Sequence, residues 1–392
     1  MALDPAPSTP LPHGFSAHVA HVGIRDDTAD FVIIVSDRPT VADGVFTRSR
    51  FTGPSVTLSR RHLADRRLRA YVVISKNANV ANGAVGDADA REVVDGVARA
   101  LGVAADDVLL ASTGVIGRPY PMDRIRAHMA SIALPFDDTE ACDAARGMMT
   151  TDTVPKVASA AVAGSTARVV GIAKGVGMIE PDMATHISLF CTDAEVDAAA
   201  LGSMFRRVVE ITFNSLSIDT DTSTSDTAAV MANGAAGPVD PAAMEKALAD
   251  VALSLTRQIA ADGEGATKLL TVTVDQARDR AQAKRVAKAV VNSPLVKTAV
   301  HGADPNWGRV VMAVGKCSDD TDIDQGHVRV RFGDQEVYPT PVGAEGLERL
   351  ARYMAGPEVA IGVTLATGTA SATVYGCDLS AGYVRINGEY TT

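Results

Sequence analysis

The chain has 392 residues, 46% hydrophobic and 21% charged, the balance of an ordinary globular protein long enough for two or three domain-sized units. A formal charge of −10 argues against a nucleic-acid partner, and the basic residues form no stripe with interleaved aromatics. No apolar run approaches the roughly 18 residues that cross a bilayer, so no membrane partner is expected.

The N-terminal stretch MALDPAPSTPLPHGF lacks a basic start and an apolar core, and is expected to be a loose leader rather than a signal peptide. Strands are predicted at 70–75 (AYVVIS), 107–112 (DVLLAS) and 167–173 (ARVVGIA), and another where Ile187, Leu189 and Cys191 alternate. A helix is predicted over 201–215, followed by a low-complexity tract, SIDTDTSTSDTAA, at 217–229. The clearest helix starts at Asp240, a good N-cap, with Pro241 at the first helical position. Met244, Leu248, Val251, Leu255 and Ile259 share one face, and Gly263 stops it. Beyond it the pattern predicts a strand at 268–274, a helix over 277–292, and strands at 308–315, 327–333 and 359–366. Helices interspersed irregularly among strands point to layered α/β architecture with mixed or antiparallel sheets, without a βαβ rhythm.

The four cysteines, Cys142, Cys191, Cys317 and Cys377, are scattered and form no CxxC pair, as in a reduced cytoplasmic protein, and are expected to be core thiols. The phosphate, dinucleotide, zinc and elbow-serine motifs GxxxxGK[ST], GxGxxG, HExxH and GxSxG do not occur. Acidic tracts from Asp219 and Asp320 place Thr224 and Val230, or Gln325 and Arg331, where a calcium loop needs Gly and Glu. Neither a metal nor a cofactor is expected.

Three clusters can carry chemistry. ASTGVIGRPYP (111–121) ends a strand in a Thr-Gly turn with unshielded backbone N–H groups. GIAKGVGMIEPDMAT (171–185) has a Lys eleven residues before a Thr at the foot of a strand. ADGEGATK (261–268) sets Glu264 between two glycines just past a helix. Each has a bland counterpart as well: turn glycines, a solvated lysine, a loop carboxylate.

Taken together, KGVGMIEPDMAT, STGVIG, MTTDTVPK (149–156), DGEGATK, ADPNWGR (303–309) and YVRINGEYTT (383–392) resemble the ornithine acetyltransferase (glutamate N-acetyltransferase) family, in its order and across nearly the whole chain. SIDTDTSTSDTA and GKCSDDTDIDQ (315–325) are similar to the branch found in antibiotic gene clusters. The resemblance implies an αββα sandwich like that of N-terminal nucleophile hydrolases but with its own topology, plus a smaller C-terminal α/β part. It also implies self-cleavage between Ala184 and Thr185. The α chain would be 1–184 and the β chain 185–392, interwoven in one catalytic unit and assembled as α2β2 or larger.

Cleavage would make chemical sense. A threonine hydroxyl is a poor nucleophile without a base beside it, and a new α-amine on the same residue titrates at about pH 8. By the same resemblance Thr113 and Gly114 match the oxyanion hole. Thr150 (with Thr151 not separated from it), Lys174, Thr185, Glu264, Asn387 and Thr392 match substrate contacts, a Lys suiting a carboxylate and a Glu an ammonium. The implied reaction is a cytoplasmic, ping-pong transfer of acetyl from N-acetyl-L-ornithine to L-glutamate through acetyl-Thr185, serving arginine or specialised biosynthesis. A bifunctional variant would also use acetyl-CoA. The alternatives are an amidohydrolase or aminopeptidase using the same Thr, and an uncut, catalytically silent binding protein. His186 departs from the apolar residue that many members carry after the nucleophile. Three addresses stay open for its side chain: solvent, the other chain or the acyl pocket.

Overall fold

The computed structural model describes residues 8–180 and 186–389. The expected cleavage pair, Ala184 and Thr185, and the expected contact Thr392 lie outside the described residues. The first part of the chain forms β1 (Phe15–Ala20), β2 (Phe31–Phe46), α1 (Pro54–His62), β3 (Arg67–Ile74), α2 (Gly83–Leu101), β4 (Val108–Ser112), α3 (Met122–Met129), α4 (Ala141–Met148), β5 (Lys156–Ala161) and β6 (Arg168–Lys174). Then come β7 (Ile187–Thr192), α5 (Ala198–Ile211), β8 (Thr227–Ala232) and α6 (Pro241–Ala261). The C-terminal part holds β9 (Leu269–Ala277), α7 (Arg280–Val291), α8 (Pro294–His301), α9 (Trp307–Gly315), β10 (Arg329–Phe332), β11 (Gln335–Tyr338), α10 (Ala344–Met354), β12 (Glu358–Thr364), β13 (Ala370–Cys377) and α11 (Ala381–Glu389).

The long strand β2 organises the larger part. Its first half pairs with β1 and β3. After a register break between Val35 and Thr40, its second half pairs with β8 along Val41–Phe46. The ladder order is β4-β3-β2-β8-β7-β6-β5. Side-chain alternation turns this ribbon into layers. Tyr71 and Val73 of β3 meet Val170, Ile172, Leu189 and Met231 of the other half in a core between the sheets. Their neighbours Ala70, Val72 and Ile74 pack with Val93, Val97 and Ile125 of α2 and α3. On the far side Val169, Phe190 and Val230 pack with Phe205 of α5 and Leu248, Val251 and Leu255 of α6. The result is helix, sheet, sheet, helix: an αββα sandwich. Strands buried on both faces read as continuous apolar runs, which is why 70–75 and 107–112 are so visible.

Two strands from the second half of the chain lie between strands from the first. Strand β7 pairs antiparallel with β6 (Ile187 opposite Lys174) and parallel with β8, which in turn pairs antiparallel with β2. The smaller C-terminal part is a five-stranded sheet, β11-β10-β12-β9-β13, whose core is shared with helices α7 to α10.

Helix α6 forms as its sequence predicts. The Asp240 side chain accepts the Ala243 N–H at 2.8 Å, and the five spaced apolar residues are all buried. The strand expected at 308–315 is instead helix α9. Its valines carry helical rather than strand spacing, burying Val310, Ala313 and Val314 at i, i+3 and i+4, so packing overrides the β-branched preference. The helix expected over 277–292 cedes Ala277 to β9 and begins after Asp279, whose side chain caps Gln282 N–H at 2.8 Å. Cys142, Cys191 and Cys377 are buried and Cys317 half-buried, all four as free thiols. No described helix is long and apolar enough to cross a membrane.

Candidate active site

A cavity of about 160 Å³ opens where the ends of β4 and β6, the start of β7, the loop before β8, the loop after α6 and helix α11 converge. Thr113, Gly114, Thr150, Lys174, Glu264 and Asn387, far apart in sequence, all line it.

Strand β4 ends in a turn built around Gly114. Its φ is +127°, and a Cβ there would stand 2.2 Å from the carbonyl carbon of Lys76, so only glycine fits. Val115 N–H donates to Lys76 O (3.3 Å) and Ala78 N–H to Val115 O (3.0 Å), locking the turn against residues 76–78. Thr113 N–H is already donated to Ile74 O (3.0 Å). The donors left to the cavity are the Thr113 hydroxyl and the Gly114 N–H, which has no acceptor among the described residues. Lys174 Nζ donates to Thr113 Oγ1 at 3.0 Å, leaving the hydroxyl proton free to turn toward a ligand.

Lys174 is buried. Desolvation lowers its pKa, and the negative charge of Asp152 works against that shift. Asp152 is itself fully enclosed: its Oδ1 accepts from Lys156 Nζ (2.7 Å) and Gly175 N–H (2.7 Å), its Oδ2 from Thr150 N–H (3.1 Å). Burial pushes this carboxyl up, but the charges of Lys156 and Lys174 and these hydrogen bonds outweigh it and hold it at about 2. Lys156, fully buried, also donates to Asp262 Oδ2 at 2.6 Å, tying the 150–156 loop to the end of α6.

Glu264 stands at the mouth. Oε1 accepts the Thr151 hydroxyl (2.9 Å) and Oε2 accepts Asn387 Nδ2 (2.9 Å). Thr151 is therefore the threonine that touches Glu264, while the Thr150 hydroxyl faces Asp152 at 3.5 Å. Two glycines admit this contact set. A Cβ on Gly177 would lie 2.4 Å from Glu264 Oε2, and one on Gly265 2.3 Å from Tyr383 N. The chain approaching residue 181 is pinned: Asp219 accepts the N–H groups of Met178 and Ile179 (2.7 Å each), and Glu180 accepts the Ser217 hydroxyl at 2.8 Å.

Two further residues line the cavity: His186, for which the sequence left three addresses open, and Asp226, which had no functional signal in the sequence. His186 is buried, its ring centroid 3.9 Å from that of Phe213, with Nε2 3.0 Å from Ser188 Oγ. It thus packs away from solvent, on the face opposite Ile187. Desolvation and then the Lys174 charge push its pKa down to about 3, so it is neutral. Asp226 ends the Ser/Thr/Asp tract that reads as low complexity. The one available clue was a carboxylate at the foot of a largely apolar strand, TAAVMA.

The match to the family described as "ArgJ family" covers residues 16–392. The chain is 56% identical over 392 residues to the glutamate N-acetyltransferase Oat2 of Streptomyces clavuligerus, covering 98% of this chain and 99% of the relative. It is also 56% identical, over 381 residues, to the arginine biosynthesis bifunctional protein ArgJ 2 of a Nostoc species, covering 97% and 98%. Among solved structures, the arginine biosynthesis bifunctional protein of Bacillus halodurans shares 38% identity at a TM-score of 0.48, covering 50% of this chain and 96% of that one. The chain belongs to the ArgJ family. It is an acyltransferase.

Proposed function

We propose that the chain cuts itself between Ala184 and Thr185 into chains 1–184 and 185–392, and that Thr185 then carries acetyl from N-acetyl-L-ornithine to L-glutamate. The observation that carries this reading is convergence. The residues that flank the segment, Gly177 and Met178 before it and His186 after it, line the same cavity as Thr113, Gly114, Lys174 and Glu264. The names of the relatives, glutamate N-acetyltransferase and arginine biosynthesis protein, support the substrates.

In the first half-reaction the Thr185 hydroxyl attacks the acetyl carbonyl, its proton passing to the α-amine of the same residue. The Thr113 hydroxyl and Gly114 N–H meet the oxyanion, and Lys174 adds positive potential through its contact with Thr113. Glu264, held by Thr151 and Asn387, receives the free ammonium of the acetylated diamino acid. Ornithine leaves, and glutamate takes the acetyl group in the second half-reaction. The processed molecule works in cytoplasmic amino-acid biosynthesis as α2β2 or a larger assembly.

Intact-protein mass spectrometry tests the scheme. Two chains should be seen, with one acetyl group added to 185–392 after incubation with N-acetylornithine. Acetylglutamate should form only when glutamate is present. Acetate release that glutamate does not suppress would make the enzyme a hydrolase instead, and acetyl-CoA as sole donor tests bifunctional use.

A further inference from the structure

The cavity has two carboxyl groups, and the transfer described above uses one. Glu264 stands half-buried at the mouth with both oxygens engaged. Asp226 stands at the base, 2% exposed, and its Oδ2 is buried without a hydrogen-bond partner among the described residues. A second such atom, His186 Nδ1, lines the same cavity. A buried polar atom left unpaired is costly, so two on one cavity call for a ligand group that satisfies them. The place is also specific. Thr227 N–H donates to His186 O at 3.0 Å, which sets Asp226 beside the residue that directly follows Thr185 in the chain.

The group that fits is an amine. An amino-acid acceptor arrives as an ammonium, which has no lone pair with which to attack an ester. We infer that Asp226 is the proton acceptor for the incoming acceptor amine, with His186 Nδ1 accepting a second N–H; the inference rests on the acetyl-enzyme reading above. The tautomer that donates Nε2–H to Ser188 leaves Nδ1 as that acceptor.

The step balances. The Asp226 carboxylate takes one proton from the ammonium, giving a neutral amine and a carboxylic acid. The amine nitrogen forms a bond to the acetyl carbon, and the bond from that carbon to the Thr185 oxygen breaks. The threonine oxygen leaves with the proton shed by the new amide nitrogen, and Asp226 returns its own proton to solvent. Ammonium and ester become amide, hydroxyl and one proton. The surroundings suit this exchange. Burial holds the Asp226 carboxyl well above its ordinary range, against the Ser223 hydroxyl in its own loop and the Lys174 charge on β6. His186, just before β7, lines the same cavity uncharged, and Glu264 stands at the mouth.

The experiment preloads the enzyme with acetyl and compares two acceptors, glutamate and hydroxylamine, the second uncharged at neutral pH and in no need of deprotonation. Asp226→Asn should still form acetyl-enzyme, lose about 10²–10³ in transfer to glutamate, and lose far less with hydroxylamine. Asp226→Glu should recover part of the glutamate rate. Equal losses with both acceptors in the Asn variant would overturn the inference by making Asp226 structural. If the Asn variant stays uncut, the wild-type enzyme supplies the measurement. Its glutamate rate should level off with rising pH well below the range where the free amine itself ionises. A rate still rising tenfold per pH unit into that range overturns the inference. A wild type that forms no acetyl-enzyme at all sinks the proposed function, a distinct result.

Discussion

Thr113 offers the cavity a hydroxyl whose lone pair is engaged by Lys174 and whose N–H is spent on Ile74. On the proposed reading, removing that hydroxyl takes away one oxyanion donor and leaves the turn intact. Thr113→Ala should therefore lower kcat by about 10²–10³ with KM little changed. A raised KM at constant kcat would make Thr113 a ground-state binder. Glu264 answers a different question. Glu264→Gln keeps the side chain's shape and one accepting oxygen but removes the charge, so it should cost about 1.5–3 kcal/mol in kcat/KM for N-acetylornithine. A neutral N-acetyl amino acid should be affected far less, and equal losses on both substrates would remove Glu264 from charge recognition. Both positions were legible because short motifs carry them. Asp226 was not, since an Asp in a Ser/Thr tract becomes informative only once burial shows its unpaired atom, and for His186 the sequence offered three addresses between which only burial decides.

At the scale of elements, the Asp152–Lys156–Asp262 cluster joins the 150–156 loop to the end of α6. Asp152 is held at about 2 in the fold, below the ordinary 3.8. A depressed carboxyl adds stability above its unfolded value and loses it as pH falls from about 3.8 toward 2. Asp226 has the opposite sign, favouring the fold as pH falls toward 3.8, and adds no slope below that. Acid unfolding followed by circular dichroism should steepen between pH 4 and 2. Asp152→Asn should flatten that segment and cost on the order of 3 kcal/mol at neutral pH by stripping buried Lys156 of one partner. An unchanged acid profile would place the stability elsewhere. Elements were legible in proportion to how local their causes are. Helix α6 was read correctly because its cap, first-turn Pro and apolar face all lie within its own sequence. Helix α9 was misread because its valines are packed by the C-terminal sheet, a contact that no local pattern contains. Strand β2 was missed because Ser36–Thr40 interrupt its apolar run, and those polar residues mark the bend where the strand passes from one sheet to the other.

For the molecule as a whole, the proposed cut is the decisive property. Purified protein should run on a denaturing gel as two fragments of similar size rather than one chain of 40.7 kDa, with a new N-terminal Thr185. Thr185→Ala should stay whole and transfer no acetyl, and a cut that persists in this variant would move the nucleophile elsewhere. The layered architecture was legible from the mixture of strand and helix patterns and from the resemblance. The order of strands was not, because it turns on the pairing of β2 with β8, between residues such as Val41 and Ala232 from opposite halves of the chain.

That order has a consequence for the proposed processed enzyme. With β7 and β8 lodged between β2 and β6, a cut at residue 184 leaves two polypeptides that can part only by opening both ladders at once. Uncut and severed molecules would then share one fold, while their unfolded states would differ: one wanders as a single coil, the other as two independent ones. Unfolding of the processed form gains translational entropy, so its reversible melting temperature should rise with protein concentration, by mass action. The uncut Thr185→Ala protein, taken at fixed assembly state, should melt at the same temperature at every dilution. On heating and cooling at low concentration, the processed enzyme should fail to regain activity long before the uncut chain fails to regain its fold, so that maturation becomes a step the molecule takes once.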